Sequence, residues 1–210
     1  MRTHKFDTRR MASLAMLCGI LLVMGMTGIG FIPLPLIKAT TMHIPVILGA
    51  ILLGPRAGAI LGGLFGLCSM WANTTAPGLM AFAFSPFMSN DGLLGAVKAI
   101  WIALGCRILL GVVAGWLWIG LKKLKAPDVA ALPVTAVIAT LFHTAAVMGS
   151  IYVLLAEQYA SAKNVALSAV FGLVIGTITA SGIPEAIVAA VMVTLIGRAL
   201  LKLAVRMRKR

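Results

Sequence analysis

Arg107 stands inside the apolar run Leu94–Leu121, where a charge must face protein or water rather than lipid. Its guanidinium is a rigid fork that matches a carboxylate with two parallel hydrogen bonds, so the chemistry it offers is anion binding. The alternative is structural, a pair with Glu185 or with carbonyls at a helix C-terminus. Lys98 is a second cation on the same run. The two lie nine positions apart, which at about 100° per residue puts them on opposite faces of a helix. Lys98 is close enough to the end of the run to snorkel, whereas Arg107 shares its face with the small residues Gly111, Ala114 and Gly115.

Neutral polar residues supply the other half of a site. Thr140, His143 and Ser150 lie along one side of a further apolar run, a stripe that lines either a solvated cavity or an interhelical seam. Glu185 follows Pro184 in a helical first turn, where the dipole favours a carboxylate; it can cap that helix or accept hydrogen bonds from ligand hydroxyls or an amide. FAFSPF (Phe82–Phe87) is either an interfacial aromatic anchor or a lid over a ligand. The candidate substrate-binding set is His43, Asn73, Thr74, Phe84, Lys98, Trp101, Arg107, His143, Asn164 and Glu185. Net cationic with hydroxyl and amide partners, it suits a small hydroxylated carboxylate.

Catalytic signatures are missing. There is no phosphate-binding GxxxxGK[ST] loop, no HExxH and no GxSxG, so the chain is expected to be neither an ATPase nor another enzyme. Cys18, Cys68 and Cys106 form no CxxC pair and read as packing residues, so no metal and no cofactor is expected. Five acidic residues leave little for a proton or sodium relay.

Lipid is the solvent of the elements that must position these residues. Of 210 residues 61% are hydrophobic and 11% charged, and mean hydropathy is +1.06. A soluble domain cannot hide that much apolar surface. The runs are apolar on every face rather than alternating, so they read as helices and not as barrel strands. The net charge of +13 gathers at Arg2–Arg10, Arg56, Lys122–Lys125 and Arg198–Arg210, ends that alternate crossing places on one side. This positive-inside pattern explains the basicity without nucleic acid.

Seven apolar runs and this charge rule agree only if one run does not cross. The expectation is an all-α integral membrane protein of six transmembrane helices with both termini cytoplasmic. It forms a single membrane domain over 1–210, with spans at about 11–32, 42–54, 57–72, 95–121, 129–156 and 184–205. Residues 165–180 form an extra re-entrant or extended segment. Three outer loops follow, at Pro33–Thr41, Asn73–Leu93 and Glu157–Pro184. The second span is short: about fourteen residues rise only about 21 Å against a core of about 30 Å. It falls short on the outer side, where irregular backbone is tolerated only around a cavity or within protein, and this puts His43 at the rim of a pocket.

Gly58, Gly62 and Gly66 repeat every four residues on the third span, and Ala15 and Gly19 do so on the first. Such small-residue stripes let another backbone approach closely, either within the chain or from a partner membrane protein. The sharper expectation makes these five the partner-docking surface.

The block MHIPVILGAILLGPRAGAILGGLFGL, the Asn73-Thr74-Thr75 turn, FAFSPF, GCRILLGVVAGWLW (Gly105–Trp118) and SGIPEAIVAA (Ser181–Ala190) resemble the S components of energy-coupling factor (ECF) vitamin transporters, the pantothenate-type group above all. The resemblance covers most of the chain. It implies a six-helix binder of one vitamin, facing outward in a prokaryotic cell membrane. It also implies a transmembrane coupling subunit and two cytoplasmic ATPase subunits as partners, and toppling of the binder within the bilayer. The first-span contact of that family maps onto Ala15 and Gly19. Pantothenate is a small hydroxylated carboxylate; the alternatives are folate, riboflavin or a related vitamin, or a stand-alone secondary transporter.

Overall fold

The computed structural model describes residues 8–28, 30–33, 38–89 and 91–208. Arg2, Lys5, Lys209 and Arg210 of the basic termini lie outside them. Its helices are α1 (Thr8–Thr27), α2 (His43–Leu53), α3 (Pro55–Thr75), α4 (Ala81–Phe84), α5 (Gly92–Ile100), α6 (Cys106–Lys123), α7 (Asp128–Lys163), α8 (Val170–Thr177) and α9 (Ile183–Arg208). Four helical runs among the described residues are long and apolar enough to cross a membrane: Thr8–Thr27, Gly92–Lys123, Asp128–Lys163 and Leu167–Leu203.

A short hairpin qualifies the all-helical expectation. Strands β1 (Phe31–Pro33) and β2 (Lys38–Thr40) pair antiparallel, Phe31 opposite Thr40 and Pro33 opposite Lys38. The first helix therefore ends at Thr27 and not near residue 32.

The elbow between α2 and α3 follows from Gly54-Pro55. Gly54 has φ +89°, which ends α2 at no side-chain cost, and its N–H bonds the carbonyl of Ala50. Pro55 occupies the first turn of α3, where its missing N–H is an orphan anyway. Helix α2 is 11 residues long and is buried on nearly every face, packed among α3, α6 and α9. Its Ile47 and Leu48 join Leu61, Phe65, Leu110, Leu132 and Val193 in the main core.

Helices α3 and α6 make the closest pairing. A Cβ on Gly58 would strike the carbonyl oxygen of Gly111, one on Gly62 that of Arg107, and one on Gly66 would lie 2.7 Å from that of Ala103. Gly111 and Gly115 are crowded in turn by Gly58 and Pro55. The ladder is thus consumed by backbone contact inside the chain, which corrects the reading of Gly58, Gly62 and Gly66 as a docking stripe. Gly19 differs: nothing lies within 4 Å of a Cβ placed there, and Ala15 is exposed beside it.

Two π turns interrupt the long helices. Trp101–Gly105 joins α5 to α6, and Ile178–Gly182 joins α8 to α9. Gly105 lets the Trp101 ring lie against the helix, 2.6 Å from where a Cβ would sit. The second turn precedes Pro184, whose ring nitrogen has no proton to give the helical ladder. Residues 167–203 are consequently one helical run, so 167–180 continues into the last helix, the extended alternative and not the re-entrant one. The loop expected over Glu157–Pro184 contracts likewise, because α7 continues to Lys163 across a distortion at Leu155 (φ −138°, ψ 28°).

Candidate functional site

The first π turn builds the centre of the site. Arg107, in the first turn of α6, is 5% exposed, and its side chain folds back along the helix. Its Nη1 donates to the carbonyls of Ala103 at 2.8 Å and Ile102 at 3.2 Å, both in the π turn. Its Nη2 donates to Ser69 Oγ at 2.9 Å. The guanidinium carbon stands 4.6 Å from the Phe65 ring centre and 5.2 Å from that of Phe84, a cation–π arrangement on two rings. Among the described residues Nε has no partner, and no carboxylate pairs with this cation. Its neighbours are dipoles and ring faces, which leave a net positive charge in an apolar interior.

Phe65 carries the arrangement onward. Its ring stacks on His143 of α7, with centres 5.9 Å apart and planes at 19°. Among the described residues four further buried side chains have unpartnered polar atoms: His43 Nε2 on α2, Thr140 Oγ1 and His143 Nε2 on α7, and Ser181 Oγ on the second π turn. His43, Thr140, His143 and Ser181 are 3%, 2%, 8% and 6% exposed. Each such group costs about 1–3 kcal/mol when left unsatisfied, so together they favour a polar occupant.

Other residues brace this buried polar cluster. Asn73 Nδ2 donates to the Ser69 carbonyl at 2.8 Å, keeping Ser69 beneath Arg107. The Thr74 and Ser85 hydroxyls bond at 2.7 Å and tie the segment carrying Phe84 to the end of α3. Asp91 Oδ2 accepts from Gln158 Nε2 at 2.5 Å and from Lys98 Nζ at 3.4 Å, joining α5 to α7. Glu185 Oε1 accepts the N–H of Thr40 at 2.9 Å, anchoring the hairpin to α9. A cavity of about 420 Å³ opens between Leu79 and Phe82 on one side and Glu157, Gln158 and Ser161 on the other.

The structure therefore brings together Arg107, Phe84, His143 and His43, with Asn73, Thr74 and Glu185 as supports. Lys98 is spent on Asp91. Trp101 is 48% exposed and donates to Ser150 Oγ at 3.3 Å, away from the guanidinium. Asn164 is exposed and serves as the left-handed C-cap of α7, φ 53°. Ser150 also meets Cys106 Sγ at 3.6 Å, so the Thr140–His143–Ser150 stripe divides between two neighbourhoods. Phe65, Ser69 and Ser181 are additional members. Phe65 and Ser69 stand four apart, continuing the α3 face of Gly62 and Gly66, and that spacing is the signal that marks them.

Comparison with known proteins fits a transporter subunit. The chain is 32% identical over 171 residues to the pantothenic acid transporter PanT of Lactococcus lactis subsp. cremoris (strain MG1363), an alignment covering 81% of each protein. The family model described as "ECF transporter, substrate-specific component" matches residues 9–197. This multi-pass membrane protein belongs to the substrate-specific component family of ECF transporters.

Proposed function

We propose that this chain captures pantothenate from outside the cell for an ATP-driven importer. The single observation that carries the reading is a buried arginine with no carboxylate partner among the described residues, close to a buried neutral histidine and ring faces. A monoanionic carboxylate supplies the missing charge to Arg107. Pantothenate's hydroxyls and amide offer donors and acceptors to His43, Thr140, His143 and Ser181. The 32% identical PanT, a pantothenic acid transporter by name, supports the same ligand.

In this reading the six spans are α1, α2, α3, α5–α6, α7 and α8–α9. Both termini are cytoplasmic, and the hairpin and α4 face outward. The cavity beside Phe82 and Gln158 is the way in. A transmembrane coupling subunit docks on the unpartnered Ala15–Gly19 face of α1, and two cytoplasmic ATPase subunits hydrolyse the ATP.

Calorimetric titration of the purified chain with pantothenate, without any ion gradient, tests this. One-to-one binding is expected, and folate or riboflavin should give none. Gradient-driven pantothenate flux in liposomes lacking ATPases would overturn it.

A further inference from the structure

At the end of the bundle opposite the hairpin, the elbow Gly54-Pro55 and the first turn of α1 border an open cleft of about 500 Å³. It is lined by Arg9, Arg10, Ser13, Leu52, Leu53 and Gly54. None of these is acidic, and the size lies within the range of about 300–1,000 Å³ usual for small-molecule sites. We infer that this cleft binds the phosphate headgroup of an anionic phospholipid.

The chemistry is that of a phosphodiester receptor. Two arginines present planar forks of N–H donors, the geometry that pairs phosphate oxygens in parallel. Arg10 Nη2 already donates to the Leu53 carbonyl, the last of α2, and this fixes its guanidinium at the wall while leaving its other donors free to turn inward. Gly54, at φ +89°, turns the chain beside the Arg10 guanidinium, which would stand in ordinary contact at 3.6 Å from a Cβ there. Ser13 Oγ gives its proton to the Arg9 carbonyl at 3.0 Å and fixes the first turn that carries both cations.

A lipid rather than free phosphate follows from depth and from the apolar rim. Helix α1 has 20 residues, so at 1.5 Å per residue it spans about 30 Å, the thickness of the hydrocarbon core. Its first turn therefore lies at headgroup level. From there Met16, Ile20 and Val23 continue along α1, 70%, 46% and 60% exposed, as a surface for acyl chains. Of α1 only Leu21 and Gly25 are buried, so a headgroup bridging its first turn to the elbow reinforces the single Arg10–Leu53 bond there.

The test uses the full chain in nanodiscs of phosphatidylglycerol mixed with phosphatidylcholine, with bound lipid counted by native mass spectrometry after transfer to detergent. Wild type should retain one phosphatidylglycerol in preference to phosphatidylcholine. Arg9→Gln, which leaves the Arg10–Leu53 joint intact, should lower that occupancy at least threefold, and Arg9→Gln/Arg10→Gln should abolish it. Lys123→Gln, at the same end but outside the cleft, should leave it unchanged. Equal retention by wild type and Arg9→Gln overturns the inference, and so does an equal loss in Lys123→Gln, which would mean diffuse attraction to the basic rim. Displacement of the lipid by millimolar inorganic phosphate would make this a free-phosphate site and overturn it as well. None of these outcomes depends on which vitamin the chain binds.

Discussion

Glu185 and Thr40 are 145 positions apart, yet a carboxylate oxygen of one lies 2.9 Å from the backbone nitrogen of the other. The bond ties β2 to the first turn of α9. It also explains why Glu185 is not the counter-ion of Arg107, since its acceptor is directed at the hairpin. Thr40 is three residues before His43, so the same bond sets how the chain enters α2 and how the imidazole is presented.

Glu185→Ala should therefore loosen the hairpin beside His43 without removing a ligand contact. A hydrogen bond to a charged group is worth about 1.5–3 kcal/mol. Pantothenate dissociation, followed by stopped flow, should accelerate about tenfold or more. Glu185→Gln retains an acceptor oxygen and should fall between that variant and the parent.

Arg107→Ala should weaken pantothenate by more than tenfold in calorimetry, with Arg107→Lys intermediate because an ammonium cannot pair both oxygens in parallel. Pantothenol, in which an alcohol replaces the carboxylate, is the control. It should bind the parent much more weakly than pantothenate does, and the two ligands should become equal on the alanine variant. A full preference for the acid without Arg107 would exclude it as the carboxylate's partner.

Asp91→Asn acts at the outer latch. The residue is part-exposed and so are its partners, so global stability should change by less than about 1 kcal/mol in a thermal melt. Release of Gln158 and Lys98 should instead raise the ligand exchange rate severalfold, with a smaller effect on affinity.

Gly62→Ala and Gly19→Ala separate internal packing from a free face. The first drives a methyl group into the Arg107 carbonyl, a backbone atom with nowhere to go. It should cost about 2 kcal/mol or more, visible as a lower melting temperature and reduced ligand binding. The second meets open space and should melt like the parent. Gly19→Leu should bind pantothenate normally and yet fail to copurify with the coupling subunit.

Much of this was legible from composition and breakers. The apolar runs give the helices because lipid leaves the backbone no other partner, and Gly54-Pro55 marks the elbow by its conformational demands alone. Arg107 announces itself as a charge in an apolar run. Its companions were harder to read, because face assignments at 100° per residue fail across the π turn at residues 101–105. Trp101, one of the candidate set, bonds Ser150 from an exposed position. Lys98 reads as a second cation near the end of its run, and Asp91, seven residues away on the same helical approach, takes it. Ser181-Gly182-Ile183-Pro184 reads as a break, yet a wider turn absorbs the proline and the helix continues. Asn164 sits in a polar stretch because a left-handed cap requires such a residue, not because a ligand does.

The contact of α3 with α6 has a consequence for motion. At Gly58 and Gly62 the nearest atom across the joint is a backbone carbonyl oxygen, so no rotamer change there takes up a displacement. The two helices make a stiff double beam, with Phe65, Ser69 and Arg107 fixed along its inner edge. Sliding one past the other means breaking the joint outright. Rearrangement that admits or releases cargo falls to the parts fastened by few bolts: α1, the hairpin and the strap that carries Phe84.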